Sequence, residues 1–251
     1  MGLLVALLVG LLAVCSCSKK EPAGQGQAPA QSGAVPATRI QPSGEARPAA
    51  AGDWAPLPIT LPKPMFVGTP ANLDGVTDLE PPLGKARPVP LAPKGVVNVA
   101  LGKPVKSSSG EPIMGQLSLI TDGDKEATDK SLVELDPFLQ HVTVDLGGPH
   151  EIYGVLVWHY HKQSRAYVDV VVQVADDADF ISQVRTLFNN DRDNSSGLGV
   201  GADRPYVETA EGKLIDAKGT VARYVRLYSR GNNANDQNHY LEVEVFGKPV
   251  P

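Results

Sequence analysis

Cysteine is almost missing from this 251-residue chain, occurring only at Cys15 and Cys17. Everything after residue 17 therefore holds neither a disulfide nor a cysteine metal centre. Positive charge is sparse as well: 23 Lys and Arg stand against 28 Asp and Glu, a net charge of −5, and the cations are scattered. This excludes the clustered basic footprint that nucleic-acid binding requires. Helical periodicity is nearly absent, and the single candidate, Asp177 to Leu187, allows a turn or two. Enzyme signatures are missing too, with no G-x-S-x-G, no H-E-x-x-H and no cysteine nucleophile in the folded part. Glu242 and Glu244 sit two apart on one strand face, whereas a glycosidase needs its acids across a cleft. The reading is that the chain is not an enzyme. The one continuous apolar run, Gly2 to Val14, is too short to span a bilayer and fits the core of a secretory signal.

That run ends in Val14-Cys15-Ser16-Cys17, which looks like a bacterial lipobox with Cys17 as the lipidated residue. Residues 1–16 are read as a lipoprotein signal peptide. Fifteen of the 22 prolines fall between Lys19 and Lys94, and the Ala/Pro/Gln/Gly tract over 17–52 reads as a disordered tether. Over 53–95 the prolines persist but Trp54, Leu57, Ile59, Leu61, Met65, Phe66, Val67 and Leu73 join them. Such a chain forms extended or polyproline II segments, not helix. Leu57 to Pro70 is expected to lie extended across the following domain.

From 96 to 249 the pattern changes to short alternating runs separated by turn residues. Val142, Val144 and Leu146 alternate with Thr143 and Asp145, and Leu241, Val243 and Val245 alternate with Glu242, Glu244 and Phe246. Arg223, Val225 and Leu227 oppose Tyr224, Arg226 and Tyr228. Period-two alternation with turn signals between runs predicts an all-β, antiparallel sandwich or barrel. The polar loop Gly231 to His239 joins the last two runs, and loops of this kind carry binding sites on rigid β scaffolds.

Six pieces stand in an order that resembles the F5/8 type C (discoidin) domain and the related carbohydrate-binding modules of family 32. They are NVALGKPVKSSS (98–109), ITDGD (120–124), VTVDLG (142–147), VQVADD (172–177), ARYVRLYS (222–229) and LEVEVFG (241–247). The resemblance covers the whole folded part. It implies an eight-stranded jelly-roll β-sandwich of galactose-binding-like type that binds ligands through loops at one end. The tryptophan that the family carries soon after the DG turn is replaced here by Leu132, Val133, Leu135 and Phe138. An insertion, Asn189 to Gly219, lengthens the domain and is read as an ordered loop packed on the sandwich.

The resemblance also implies a structural Ca²⁺ held by Asp122, Asp124, Thr128 and Glu242, with Thr128 one position later than the usual spacing. Independently, acids alternating through a glycine turn present oxygens to one point, as Ca²⁺ requires. For ligand binding the candidates, placed by their position in the fold, are His159, Tyr160, His161, Arg165, Asn232, Asn235, Asn238 and His239, with Tyr160 or Tyr240 as a stacking platform. Asp191, Asp193 and Asn194 form a lesser cation candidate, and His159 with His161 a lesser zinc candidate.

Together these readings predict a non-catalytic lipoprotein of the bacterial cell envelope, anchored at the outer membrane or cell surface. Its sandwich would bind a glycan or cell-envelope polymer. The alternative is a scaffold or adhesion lipoprotein that binds an envelope protein.

Overall fold

The computed structural model describes residues 53–250; the expected signal peptide (1–16), tether (17–52) and lipidation site Cys17 lie outside the described residues. Ten strands follow in order: β1 (Trp54–Pro56), β2 (Leu91–Pro93), β3 (Val97–Asn98), β4 (Val105–Ser107), β5 (Val133–Leu135), β6 (Leu139–His159), β7 (Val171–Ala175), β8 (Arg185–Asn189), β9 (Lys213–Arg230) and β10 (Asn238–Pro249). One short 3-10 turn, Leu117–Thr121, precedes the DG turn.

The long strands β6 and β9 build both sheets. β6 bends at Gly147, whose φ of +86° a side chain would resist. Before the bend, Leu139–Asp145 pairs with the Tyr224–Arg230 half of β9, and Val142–Val144 with β4. After it, His150–His159 pairs with β10 on one side, while His150–Val157 pairs with the Lys213–Ala222 half of β9 on the other. The first sheet runs β3, β10, β6, β9, with β5 added to β10; the second runs β4, β6, β9, β7, β8. All pairings are antiparallel.

Alternation explains the core between the sheets. Val142, Val144, Leu146, Val172, Val174, Val225 and Leu227 come from one sheet, and Ile152, Val155, Val157, Ile215, Val243 and Val245 from the other. Successive strand residues point to opposite faces, so every second residue enters.

On the first sheet the opposite face is buried too. Leu156, Trp158 and Phe246 point outward and are covered by Leu57 and Ala92 of the proline-rich arm and by Val96 just past its end. The arm begins as a two-stranded sheet, β1 with β2, each ending in a proline that ladder pairing excludes from sheet centres. Between those strands it crosses the sandwich. The Lys63 amide donates to the Glu126 carboxylate at 3.2 Å, and the Glu80 amide to Pro205 O at 2.8 Å. Arg87 donates to the carbonyls of Glu211 and Gly212 at 2.7 and 2.8 Å.

One expectation is corrected outright: Asp177 to Leu187 holds no helix, because the Asp177 carboxylate accepts from the amides of Asp179, Ile181 and Ser182, and the chain then enters β8. Of residues 189–219, the stretch 190–212 is the packed loop expected, with Tyr206 and Glu208 buried, whereas Asn189 closes β8 and the last seven residues open β9.

Candidate functional site

Strand register decides which loops share an end. Leu139 lies beside Arg230, Val171 beside Asn189 and Tyr228, and Tyr240 beside His159. The segments 136–138, 160–170, 190–212 and 231–237 therefore emerge together.

The 231–238 loop is held by its own asparagines. Asn238 is fully buried; its Oδ1 accepts from the Gly231 amide at 2.8 Å, and its Nδ2 donates to Asp136 O and Phe138 O at 2.9 and 2.7 Å. Asn232 donates to Asn235 Oδ1 and Gln237 O, while Asn233 Oδ1 accepts from the Ala166 amide. Short polar side chains that bond nearby backbone fix a loop without a hydrophobic core. Gly231 is required here: its φ is +72°, and an added Cβ would meet Asp236 at 2.7 Å.

The residues singled out from sequence divide into two groups. His159, His161, Asn238 and His239 are buried, at 0, 0, 0 and 4% exposure, and face the interior. Asn232 is nearly buried within its own loop, and Tyr240 is fully buried with its hydroxyl against Ser229 Oγ. Asn235 is exposed, Tyr160 is half-buried, and the half-buried Arg165 lies over the Tyr160 ring at 5.6 Å. The contributions of the buried group are structural: each spends polar atoms inside the fold, although His159 Nε2 and His161 Nδ1 are buried without a partner.

His159 is the clearest case. Its Nδ1 is 2.6 Å from Glu208 Oε1, and its ring stacks on Tyr167 at 4.3 Å. His161 instead uses Nε2 on the Lys125 carbonyl. The two histidines thus serve different partners, and no zinc-like triple forms from them among the described residues. His239 receives the Tyr167 hydroxyl at Nδ1 and donates from Nε2 to Glu134, at 3.0 and 3.2 Å.

Burial, reinforced by Arg165 and His159, lowers the His239 pKa to about 4, while the Glu134 carboxylate pulls the other way. A free histidine titrates near 6.5, so between about pH 4 and 6.5 the unfolded chain binds the extra proton. His239 stability is therefore complete above pH 6.5 and lost as pH falls toward 4, by about 3 kcal/mol. Urea unfolding at pH 7 and pH 4.5 should show this loss, and His239→Gln should reduce it.

At the calcium candidate the groups are close in the fold but differently engaged. Asp122 Oδ1 accepts from the Asp124 amide. Asp124 accepts from the Glu126 amide and the Ser131 hydroxyl, and Thr128 Oγ1 bonds Ser131. Glu242 Oε2 accepts from the Gly123 amide at 3.1 Å, while its Oε1 is buried without a hydrogen-bond partner. Burial, with Glu244 and Asp122 nearby, pushes the Glu242 carboxyl up to about 9. Lys125 pairs with Glu244 and lies 5.0 Å from the Trp158 ring.

Among the described residues, the one triple of acidic or histidine side chains whose ligand atoms approach within 4.8 Å of one another is Asp169, Asp191 and Asp193. Asn194 is not part of it; its Oδ1 accepts from the Gly199 amide. Sequence spacing joined Asp191 to Asp193 but could not show Asp169, which the fold brings from the loop that leads into β7. Phe138, Asp236 and Glu208 were likewise missed as site or support residues. Phe138 was legible only as an apolar residue near the lost tryptophan.

The fold is an antiparallel β-sandwich, and the polar rim at this loop end is fixed by side-chain clamps. No protein-family model and no curated protein matches the chain. Among solved structures it is similar to a chitosan-binding module from Paenibacillus sp. IK-5, at 21% identity and a TM-score of 0.44, covering 60% of this chain and 98% of that one. It is also similar to a fucose-binding module of Streptococcus pneumoniae, at 18% and 0.42, covering 59% and 96%. A family 32 carbohydrate-binding module of Clostridium perfringens, in complex with GlcNAc-α-1,4-galactose, matches at 17% and 0.44, covering 62% and 96%. Against a family 89 glycoside hydrolase of the same organism, the match covers 61% of this chain and 15% of the hydrolase.

Proposed function

We propose that this chain is a non-catalytic, lipid-anchored protein of the bacterial envelope whose sandwich binds a glycan or cell-surface polymer through the 136–138, 160–170 and 231–237 loops. The observation that carries the reading is the prefixed rim. Asn235, Asp236 and Phe138 are exposed on backbone that Asn232 and Asn238 already hold in place. Preorganised polar groups around an apolar surface are what an oligosaccharide needs, because little ordering entropy remains to be lost on binding. Acid–base chemistry has no comparable support: the His159–Glu208 pair is sealed from solvent, with side-chain exposures of 1 and 0%.

A glycan array probed with the purified protein tests the reading. Binding should appear and should weaken in Asn235→Ala. A protein that binds no glycan, but co-purifies stoichiometrically with one envelope protein, would replace it with the scaffold reading. The groove between the arm and residues 206–214 gives that second reading its support, since Met65 and Leu83 on its lip are 43 and 62% exposed.

The proposal includes a structural Ca²⁺ at the DG turn. The fit is partial. Glu242, with its unpartnered buried oxygen, and Asp122 suit an oxygen-seeking divalent cation. Asp124 and Thr128 would have to release Ser131 to join them. When bound, the ion would supply the positive charge that buried Glu242 lacks and tie β10 to the turn. Melting in 1 mM Ca²⁺ should exceed that in EGTA by about 5 °C. Glu242→Gln should abolish this difference while raising the EGTA value, because the amide still accepts from Gly123 and removes a buried acid. Identical melting with and without Ca²⁺ would remove the ion from the proposal.

A further inference from the structure

Phe138 is the most exposed aromatic side chain among the described residues, at 61%. Its backbone has φ of +65°, a left-handed conformation that L-residues with bulky side chains rarely adopt. Burial does not explain the choice, because most of the ring is in solvent. A glycine or asparagine would suit that backbone better. What phenylalanine adds there is a flat apolar face.

The fold also commits buried groups to holding this position. The Phe138 amide donates to Asp236 O at 3.1 Å. Its carbonyl accepts from Asn238 Nδ2 at 2.7 Å, and Asn238 is fully buried. Sparsely populated backbone conformations persist where the surroundings over-determine them, and they concentrate at binding sites. The ring therefore stands out from the loop end on fixed backbone.

Its surroundings are polar and acidic. Asp136 and Asp236 are held to this turn through their carbonyls, and Gln237 follows. The side chains of these three residues make no hydrogen bond to any described residue. The cation beside them, Arg230, pairs with Leu139 in register and has its guanidinium 3.6 Å from the Asp169 carboxylate. Two unengaged carboxylates accept hydrogen bonds from hydroxyls or an ammonium and repel another carboxylate.

Resting on the glycan reading above, we infer that Phe138 is the stacking platform of this site and that the sugar it takes is a neutral or amino-bearing pyranose, not a uronate. The apolar face of the ring meets the C–H face of the sugar, and Asp136, Asp236 and Gln237 receive its polar edge. A platform already fixed before the sugar arrives loses little freedom on binding.

Titration calorimetry on the purified protein tests this with three probes: a β-1,4-glucosamine hexamer, its N-acetylated counterpart and an oligogalacturonate. One or both of the first two should bind and the oligogalacturonate should not. Phe138→Gly should weaken binding at least tenfold while leaving the melting temperature unchanged or raising it by about 2–4 °C, as the left-handed backbone is relieved. Phe138→Trp should retain binding, and Asp236→Asn should weaken the glucosamine hexamer more than its N-acetylated form. Unaltered binding in Phe138→Gly, preference for oligogalacturonate, or a lowered melting temperature accompanying the loss would each overturn the platform and leave glycan binding standing. No binding to these probes and none on the glycan array would overturn both.

Discussion

A chain that lacks residues 53–95 is expected to melt at least 10 °C below the intact protein and to aggregate on heating. The arm covers Leu156, Trp158, Leu241 and Phe246 with Leu57 and Ala92, beside Val96 just past its end, and all of these are buried. Stripping the arm returns several large apolar side chains to water. Each fully exposed one costs about 1.5–3 kcal/mol, so even partial exposure of four reaches about 5 kcal/mol. At about 2–4 °C per kcal/mol for a domain of this size, the shift follows. Exposure of that face would also leave an apolar patch of the kind that drives association. Differential scanning calorimetry, with light scattering, reads both effects. A trimmed chain that melted as the intact protein does would show that the arm covers the sheet without stabilising it.

Glu208→Ala should be the most damaging single substitution of those considered, lowering stability by about 3–5 kcal/mol. Glu208 and His159 are each fully buried and 2.6 Å apart. Removing the acid leaves an imidazole among Tyr167 and Tyr240 with no partner at Nδ1, and an unmatched buried polar group bears its full desolvation cost. The double replacement His159→Phe with Glu208→Leu should recover most of the loss, because it removes both polar groups and keeps apolar volume. Chemical denaturation of His159→Phe, Glu208→Leu and the double variant closes the cycle. An additive result would show that the pair is not energetically coupled.

Strands could be read from sequence where one face is apolar and the other polar, as in Val142 to Leu146. In the run Gly154 to His161, Leu156 and Trp158 alternate with Val155 and Val157, so both faces are apolar and both need cover. The partner of that second face lies some hundred residues earlier in a proline-rich stretch whose composition names no specific contact. Side-chain direction was the main obstacle at the candidate site. Histidine and asparagine suit sugar hydroxyls and buried networks equally well, and only tertiary packing sends His159 inward to Glu208. The left-handed backbone at Phe138 is set by Asn238 and the Asp236 carbonyl, contacts made across a hundred residues, so no local pattern announces it. The first half of β9 was hidden in the same way, since Lys213 to Gly219 follows a loop rich in glycine and acids and lacks clean alternation.

The position of β10 sets the order of events in folding. It is the partner of β3, β5 and the second half of β6, and its Phe246 pairs with Asn98 at the far end of the domain. None of those three strands can complete its ladder until β10 arrives, so the first sheet cannot close early, although the local β7–β8 pair can form without it. Loop closure over such separations must occur before its contacts reward it. The sandwich is therefore expected to fold in the millisecond-to-second range of all-β domains, and ribosome-bound chains lacking Asn238–Pro249 should remain protease-sensitive until that strand is released.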